Sequence, residues 1–369
     1  MTAEASPTQT FAHSGKFFNV FGLALKNAAL TILTLTMYRF WARTAMRRRL
    51  WSRAWVLGDP LEYTGNAGEL FRGFLIALPC FFLPAIFVFY IAPLAIEPTW
   101  AAWLTFTFYV VSVPLIAAAR YWMRRYQLSR TRWRGIRLGL ASSAWSFAAA
   151  SWGWWILQTL SLGWYTPAAR INRARMMWEN TRFGDQPFQF ETPHGESPQK
   201  GMWWPFAIGW IGTLIGSIVS FGVTGFILSA LTTAGIITLG ADGMMFSLVA
   251  TLLAAALTAI SYFIAFAPYR AAAMNRIAAQ ITIDGARFHL RAKTLSLLFY
   301  ETLGWIFLIF SLGLLTPVAG FLQVRYLLNR LDLIETPRFA DIGQSVLADT
   351  DAGESLGDAF DLDMGVGVI

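Results

Sequence analysis

Along this chain, apolar positions gather into seven long runs, with the charged residues packed between them. Gly73–Ile96, Pro98–Ala119, Leu138–Ala169, Gly201–Ala241, Gly243–Tyr269 and Thr302–Val324 contain no Asp, Glu, Lys or Arg, and Phe17–Tyr38 contains only Lys26 in its interior. Each is longer than the roughly 20 residues a helix needs to cross the hydrocarbon core. The pattern predicts an all-α polytopic membrane protein with about seven apolar helical segments. Basic surface helices and short extended stretches are expected at the membrane surface between them.

The runs are not independent. One block ends three of them: TLTMYRFWAR at 34–43, SLGWYTPAAR at 161–170 and SLGLLTPVAG at 311–320. Alignment puts Tyr38, Tyr165 and Leu315 in one column. A second block follows the first two copies, LGDPLEY at 57–63 and FGDQPFQF at 183–190, and WRGIRL at 133–138 matches IDGARF at 283–288. The chain therefore reads as an internal repeat. Its parts are a flexible N-terminus at 1–14, a first membrane repeat at 15–138, a second at 139–290, a partial third at 291–338 and a disordered acidic tail at 339–369. One column breaks the pattern: Gly163 and Gly313 face Thr36 in the first copy. Glycine just past a helix adopts positive φ at little cost and threonine does not. The first helix is thus expected to end differently, or to run on into the arginines.

On a helical wheel, Arg39–Leu57 places Phe40, Trp41, Trp51 and Trp55 on one arc and Arg39, Arg43, Arg47, Arg49 and Arg53 on the other, with Arg48 the exception. That predicts a helix in the headgroup layer, with Trp51 and Trp55 at acyl-chain level and guanidiniums toward phosphates. The Gly-Asp stretches read as tight turns leading into strands, with Asp59 and Asp185 as turn residues rather than catalysts. With TRWRGIRL and ITIDGARFHL they suit a small sheet that ties the repeats together.

Composition sharpens this picture. Hydrophobic residues make up 56% of the chain and charged ones only 14%, which decides for a membrane solvent. The net charge of +8 is unevenly spread. Arg39–Arg53 holds six arginines and no acid, Arg120–Arg137 seven and no acid, and the tail after Arg338 seven acids and no base. Basic belts beside spans act as orientation signals and headgroup contacts. Nothing matches a nucleic-acid-binding motif, so nucleic acid is excluded as a partner. The single cysteine, Cys80, forms no internal disulfide and suits packing or a lipid-facing position, and three scattered histidines suggest no metal. No cofactor is implied.

The combination YRFWARTAMRRRLW, LGDPLEYTGNAGELFRGF and YQLSRTRWRGIRLG resembles the bacterial inner-membrane family of unknown function typified by YjgN. The resemblance covers most of residues 15–335. It implies a multi-pass inner-membrane protein and brings no catalytic residues.

Each full copy carries three apolar segments. If all three span, the second copy is inverted, as in many secondary transporters. If the first instead dips in and returns, every basic stretch shares one side. Full spanning is the commoner behaviour for runs this long, and it is the expectation here. Both arrangements put the tail in the cytoplasm once Arg39–Arg53 is placed there. Polar groups at membrane depth mark function, and Lys26, Gln158 and Glu301 are the candidate intramembrane site, with a Lys26–Glu301 contact across the repeats. Arg43, Arg47, Arg132, Arg134 and Arg137 are the candidate contacts to anionic headgroups or solutes. The Gly212–Gly216–Ser220 stripe suits close helix packing, within the chain or in a homo-oligomer. Three classes follow. The first is a transporter or channel-like protein for a small or anionic solute, the expected one. The second is a lipid-engaging envelope scaffold or regulatory membrane protein. The third, an enzyme, lacks a His cluster, paired acids or an activated nucleophile.

Overall fold

A computed structural model describes residues 10–193, 195–235, 243–335 and 342–343. The chain divides into two compact units, one of Met1–Pro198, Ile277–Arg291 and Tyr300–Ile369, the other of Gln199–Arg276 and Ala292–Phe299.

One order of elements occurs three times along the described residues: an apolar helix, a five-residue turn, a second helix, then strand. Strand β1 (Phe11–His13) leads into α1 (Phe17–Leu33), α2 (Arg39–Trp51) and the hairpin β2–β3 (Ala54–Val56, Asp59–Tyr63). Two long helices follow, α3 (Ala67–Ala95) and α4 (Pro98–Ser129), then the hairpin β4–β5 (Thr131–Trp133, Ile136–Leu140). The second occurrence is α5 (Ala144–Leu160), α6 (Thr166–Glu179) and the strands β6 (Thr181–Phe183), β7 (Gln186–Pro187) and β8 (Gln189–Phe190). The other unit holds α7 (Trp203–Thr233), α8 (Gly243–Ala265) and most of α9 (Ala267–Ala278). The chain then forms the hairpin β9–β10 (Ile281–Ile283, Ala286–Leu290). Last comes the third occurrence, α10 (Thr294–Phe310), α11 (Thr316–Leu328) and β11 (Leu331–Ile334).

Among the described residues, four helices are long and apolar enough to cross a membrane: α3, α4, α7 and α8. The other three apolar runs are broken by the turns at 34–38, 161–165 and 311–315. Each leaves a 17-residue helix, about 25 Å long and short of a full crossing. The turns explain the repeated block. Thr36, Gly163 and Gly313 donate their N–H to the carbonyl five residues back, at 2.7, 2.7 and 2.8 Å. Thr34, Ser161 and Ser311 each donate the hydroxyl to a carbonyl of the helix just ended and accept the N–H of Tyr38, Tyr165 and Leu315. Backbone groups are thus satisfied inside the turn, as a turn in lipid requires. The tips are correspondingly apolar: Leu35 and Leu312 are 84% and 93% exposed.

Thr36 corrects the sequence expectation. The first turn has the same bonding as the others, with Leu35 at φ 48° and Thr36 at φ 72°, beside 51° and 88° for Leu162 and Gly163. A β-branched residue held there stores about 1 kcal/mol or more. Thr36→Gly is therefore expected to raise stability by about 1 kcal/mol, read from unfolding of the purified protein in mixed SDS micelles. A loss of stability would show that no strain is held at this position.

The expectation of an all-α chain is also corrected, because the extended stretches pair into sheets. Strands β1 to β7 form one seven-stranded antiparallel sheet in chain order, and β8 to β11 a four-stranded one. Phe188 separates β7 from β8, and its ring meets Phe288 of β10 at 6.2 Å, while Phe11 of β1 meets Phe288 at 5.9 Å. The hairpin turns Leu57–Gly58, Arg134–Gly135 and Asp284–Gly285 have positive φ at both residues, the geometry that matches strand twist. Asp59 is not a turn residue. It opens β3 and pairs with Arg134 at 2.5 Å.

This pairing overturns the inverted second copy. Leu61–Tyr63 of β3 lie opposite Thr131–Trp133 of β4, so both ends of the α3–α4 pair meet in one sheet. Leu138–Leu140 pair with Thr181–Phe183, and Gln189–Phe190 with Ile281–Thr282. Strands on opposite sides of a bilayer cannot share hydrogen bonds, so these stretches lie on one face.

Apolar clusters hold the first unit together. Val20, Ala24, Met46 and Leu50 pack with Val318, Phe321 and Leu322; Phe40 packs with Leu70 and Tyr126; Tyr121 packs with Phe147 and Met177. In the other unit α7 and α8 run close together: a side chain at Gly216 would collide with Ser261, and one at Gly212 would press on Ala265. The small-residue stripe is used within the chain. Cys80 is exposed on α3, which widens into π-type turns at Leu78–Phe82 and Phe87–Ile91; Pro79 lies in the first, and Pro84 and Pro93 each follow one by two residues; each proline withholds an N–H from the helix ladder. Of the acidic tail only Ile342 and Gly343 are described. Ile342 is buried, and the Gly343 carbonyl accepts the Asp185 N–H at 3.1 Å. The rest of 339–369 lies outside the described residues, as do residues 1–9.

Candidate functional site

The wheel drawn through Leu57 misplaced the aromatics, because helix α2 stops at Trp51. Phe40 is core, 2% exposed, and Trp55 lies on β2 with its Nε1 donating to Ser14 Oγ at 2.9 Å. Trp51 donates to Thr131 Oγ1 at 2.9 Å. Only Trp41 of the four is exposed. No amphipathic helix lying flat with aromatics in the acyl layer follows from this arrangement.

What α2 does present is a four-residue spacing of arginines. Arg39, Arg43 and Arg47 fall on one face, a ladder about 12 Å long at 1.5 Å per residue. This face lines a cleft of about 380 Å³ between the first and third hairpins. Asn27, Thr31 and Thr36 contribute polar groups, and Leu312, Leu314, Pro317 and Val324 line it with apolar surface. Gly320 stands there in the column that holds Arg43 and Arg170 in the other copies.

The cleft side chains are held by their neighbours. Arg47, 8% exposed, donates from Nη1 to Tyr63 Oη at 3.4 Å and lies 6.0 Å from that ring. Arg39 sits 5.1 Å from the Phe40 and Phe74 ring centroids. Thr31 Oγ1 donates to the Asn27 carbonyl at 2.7 Å, and Asn27 Nδ2 donates to the Ala42 carbonyl at 3.4 Å, tying α1 to α2. Guanidiniums stacked and hydrogen-bonded in this way are pre-oriented for planar contact with an oxyanion.

The remaining candidates lie elsewhere. Arg132, Arg134 and Arg137 occupy the β4–β5 hairpin, where Arg132 faces Arg137 and Arg134 pairs with Asp59 over the Trp133 ring. They are not part of the cleft that holds Arg43 and Arg47. Lys26 is exposed on α1, and no ion pair joins it to Glu301 among the described residues. Gln158 Nε2 donates to Thr166 Oγ1 at 3.1 Å, and its Oε1 accepts from Arg173 at 3.5 Å. Glu301 is half-buried on α10. No group of three or more potential metal ligands occurs among the described residues.

Apolar tips, four helices of crossing length and a strand platform define a polytopic membrane protein with a cation-lined cleft. The chain belongs to the family of bacterial proteins of unknown function DUF898, whose profile matches residues 8–361. It is 25% identical over 143 residues to the "Inner membrane protein YjgN" of Salmonella typhimurium. That stretch is 39% of this chain and 34% of the relative, so it spans about a third of the relative's length. No solved structure matches.

Proposed function

We propose that this is an inner-membrane protein that holds the head of an anionic amphiphile in the α2–α11 cleft, with its strand platform on the cytoplasmic face. The carrying observation is the pairing of Arg39, Arg43 and Arg47 with Leu312, Leu314, Pro317 and Val324 around one cleft. Cations suit a phosphate head, and the leucines and valine suit the start of an acyl chain. The three apolar tips favour hairpins that dip into one leaflet. The arginine belts favour the cytoplasm for the face they share, which puts the acidic tail there too. The chain then consists of three copies of one hairpin module, the first two extended by a pair of spans each. The relative's name supports the inner membrane.

Transport of a small solute is the second class. It draws on Lys26, Gln158 and Glu301, which sit on three different helices, and the cleft supports the lipid-engaging reading better.

The test is lipid retention by the purified protein in nanodiscs of zwitterionic lipid carrying a few percent phosphatidylglycerol. Phosphatidylglycerol should be enriched over phosphatidylcholine, and Arg43→Gln should weaken that preference about tenfold, which corresponds to about 1.4 kcal/mol for one lost charge-assisted contact. Equal retention of both lipids, or an unchanged preference in Arg43→Gln, would refute the reading.

A further inference from the structure

At the opposite end of the α1–α2 hairpin from its tip lies a second pocket, of about 260 Å³, that the cleft does not include. Its cations are Lys16, Arg49 and Arg53, joined by Ser14 and Asn19. None of the three cationic side chains makes a hydrogen bond or ion pair among the described residues. Three like charges around so small a space repel one another unless an anion sits among them.

Two further features point the same way. Helix α1 starts here with Lys16 as its N-cap residue, with no side-chain cap and no acid in its first turn. Its first N–H groups are left for a ligand or water, at the positive end of a 17-residue helix. His13, 6% exposed, also lines the pocket. Its Nδ1 accepts the Gly15 N–H at 3.1 Å, and its Nε2 faces the Leu50 carbonyl without well-formed hydrogen-bond geometry. Burial above all, with the charges of Arg325 and Arg53, holds the His13 pKa below its ordinary value. His13 is thus a neutral side chain in the wall.

We infer that this pocket is a binding site for a small, water-soluble, multiply charged anion of the phosphate or pyrophosphate class. Unlike the α2–α11 cleft, it has only Val20 as a large apolar lining residue, so it offers no place for an acyl chain. The inference stands independently of the lipid reading.

Calorimetric titration of the full chain in uncharged detergent with sodium pyrophosphate tests it. Saturable binding is expected, weakened about tenfold or more by each of Lys16→Gln, Arg49→Gln and Arg53→Gln. Lys26→Gln removes one charge from the same helix outside the pocket and should leave binding unchanged, as should Arg43→Gln in the cleft. Equal weakening by Lys26→Gln would reduce the effect to general charge, and weakening by Arg43→Gln would move it to the cleft; either overturns the site. So does tight binding by the triple variant Lys16→Gln/Arg49→Gln/Arg53→Gln. A parallel arm measures retention of phosphatidylglycerol in vesicles. If Arg49→Gln and Arg53→Gln lower lipid retention while pyrophosphate fails to bind the parent protein, the occupant is a lipid headgroup and the soluble-anion assignment falls. Arg53 and Lys16 are exposed, so their variants should melt with the parent protein.

Discussion

Cysteines placed singly at Glu62, Arg132 and Gln189, in a chain whose Cys80 is first changed to serine, will react with an impermeant maleimide from one face of the membrane, and a cysteine at Glu97 from the other. All four positions are exposed. The first two lie on paired strands at either end of the α3–α4 pair, and Gln189 lies on the strand that pairs with β9 beyond α7 to α9. Glu97 joins α3 to α4. The expected effect is all-or-none for each site, and inverted and right-side-out vesicles read it directly. Labelling of Gln189 from the Glu97 side would restore the inverted second copy and break the sheet assignment.

The next largest effect is expected at Phe321. It is fully buried, packs with Val20, Ala24, Met46 and Leu50, and meets the His13 ring edge-on at 5.4 Å. Phe321→Ala should cost about 3–5 kcal/mol, the transfer loss plus a cavity that rigid neighbours cannot fill. Phe310→Ala, at the exposed tip of the same hairpin, should cost well under 1 kcal/mol in detergent. Both are measurable by SDS titration of the purified protein. Similar costs for the two would mean that the third hairpin is only loosely attached to the first.

These two predictions mark what could and could not be read from residues alone. The strands were legible, because Gly-Asp pairs followed by alternating apolar positions signal a turn and a strand locally. The three-fold block was visible in the sequence, but its meaning, a hydrogen-bonded turn, was not. Leu35 and Met37 keep the first run apolar straight through the turn, so hydropathy reads 22 residues as one span where the structure has a 17-residue helix and a tip. The usable signal was the Thr34, Ser161 and Ser311 column, where a hydroxyl in an apolar run must find local partners. The arginine cleft was only half legible. Its four-residue spacing lies in the sequence, but its other wall comes from residues 312–324, and no local pattern announces that the third hairpin packs against the first. The wheel failed for a related reason: it assumed one helix to Leu57, whereas Phe40 is claimed by Leu70 and Tyr126 from the next span and its partner.

The contact between the two ends of the chain has a consequence for biosynthesis. The His13 N–H donates to Asn329 Oδ1 at 3.0 Å across 316 residues, and among the described residues β1 otherwise pairs only with β2. While the ribosome is still building the second copy, the α3–α4 pair and the β2–β3–β4–β5 strands have all they need to settle. The first strand and the Val20 face of α1 do not, because Phe321 and Asn329 are still unmade. Membrane insertion of this protein therefore runs ahead of its folding: the spans are fixed early, and the apolar flank of the first hairpin stays uncovered until the last hairpin emerges. Long non-local closure of this kind is slow, and the interval before it is when quality-control proteases and chaperones have access to the chain.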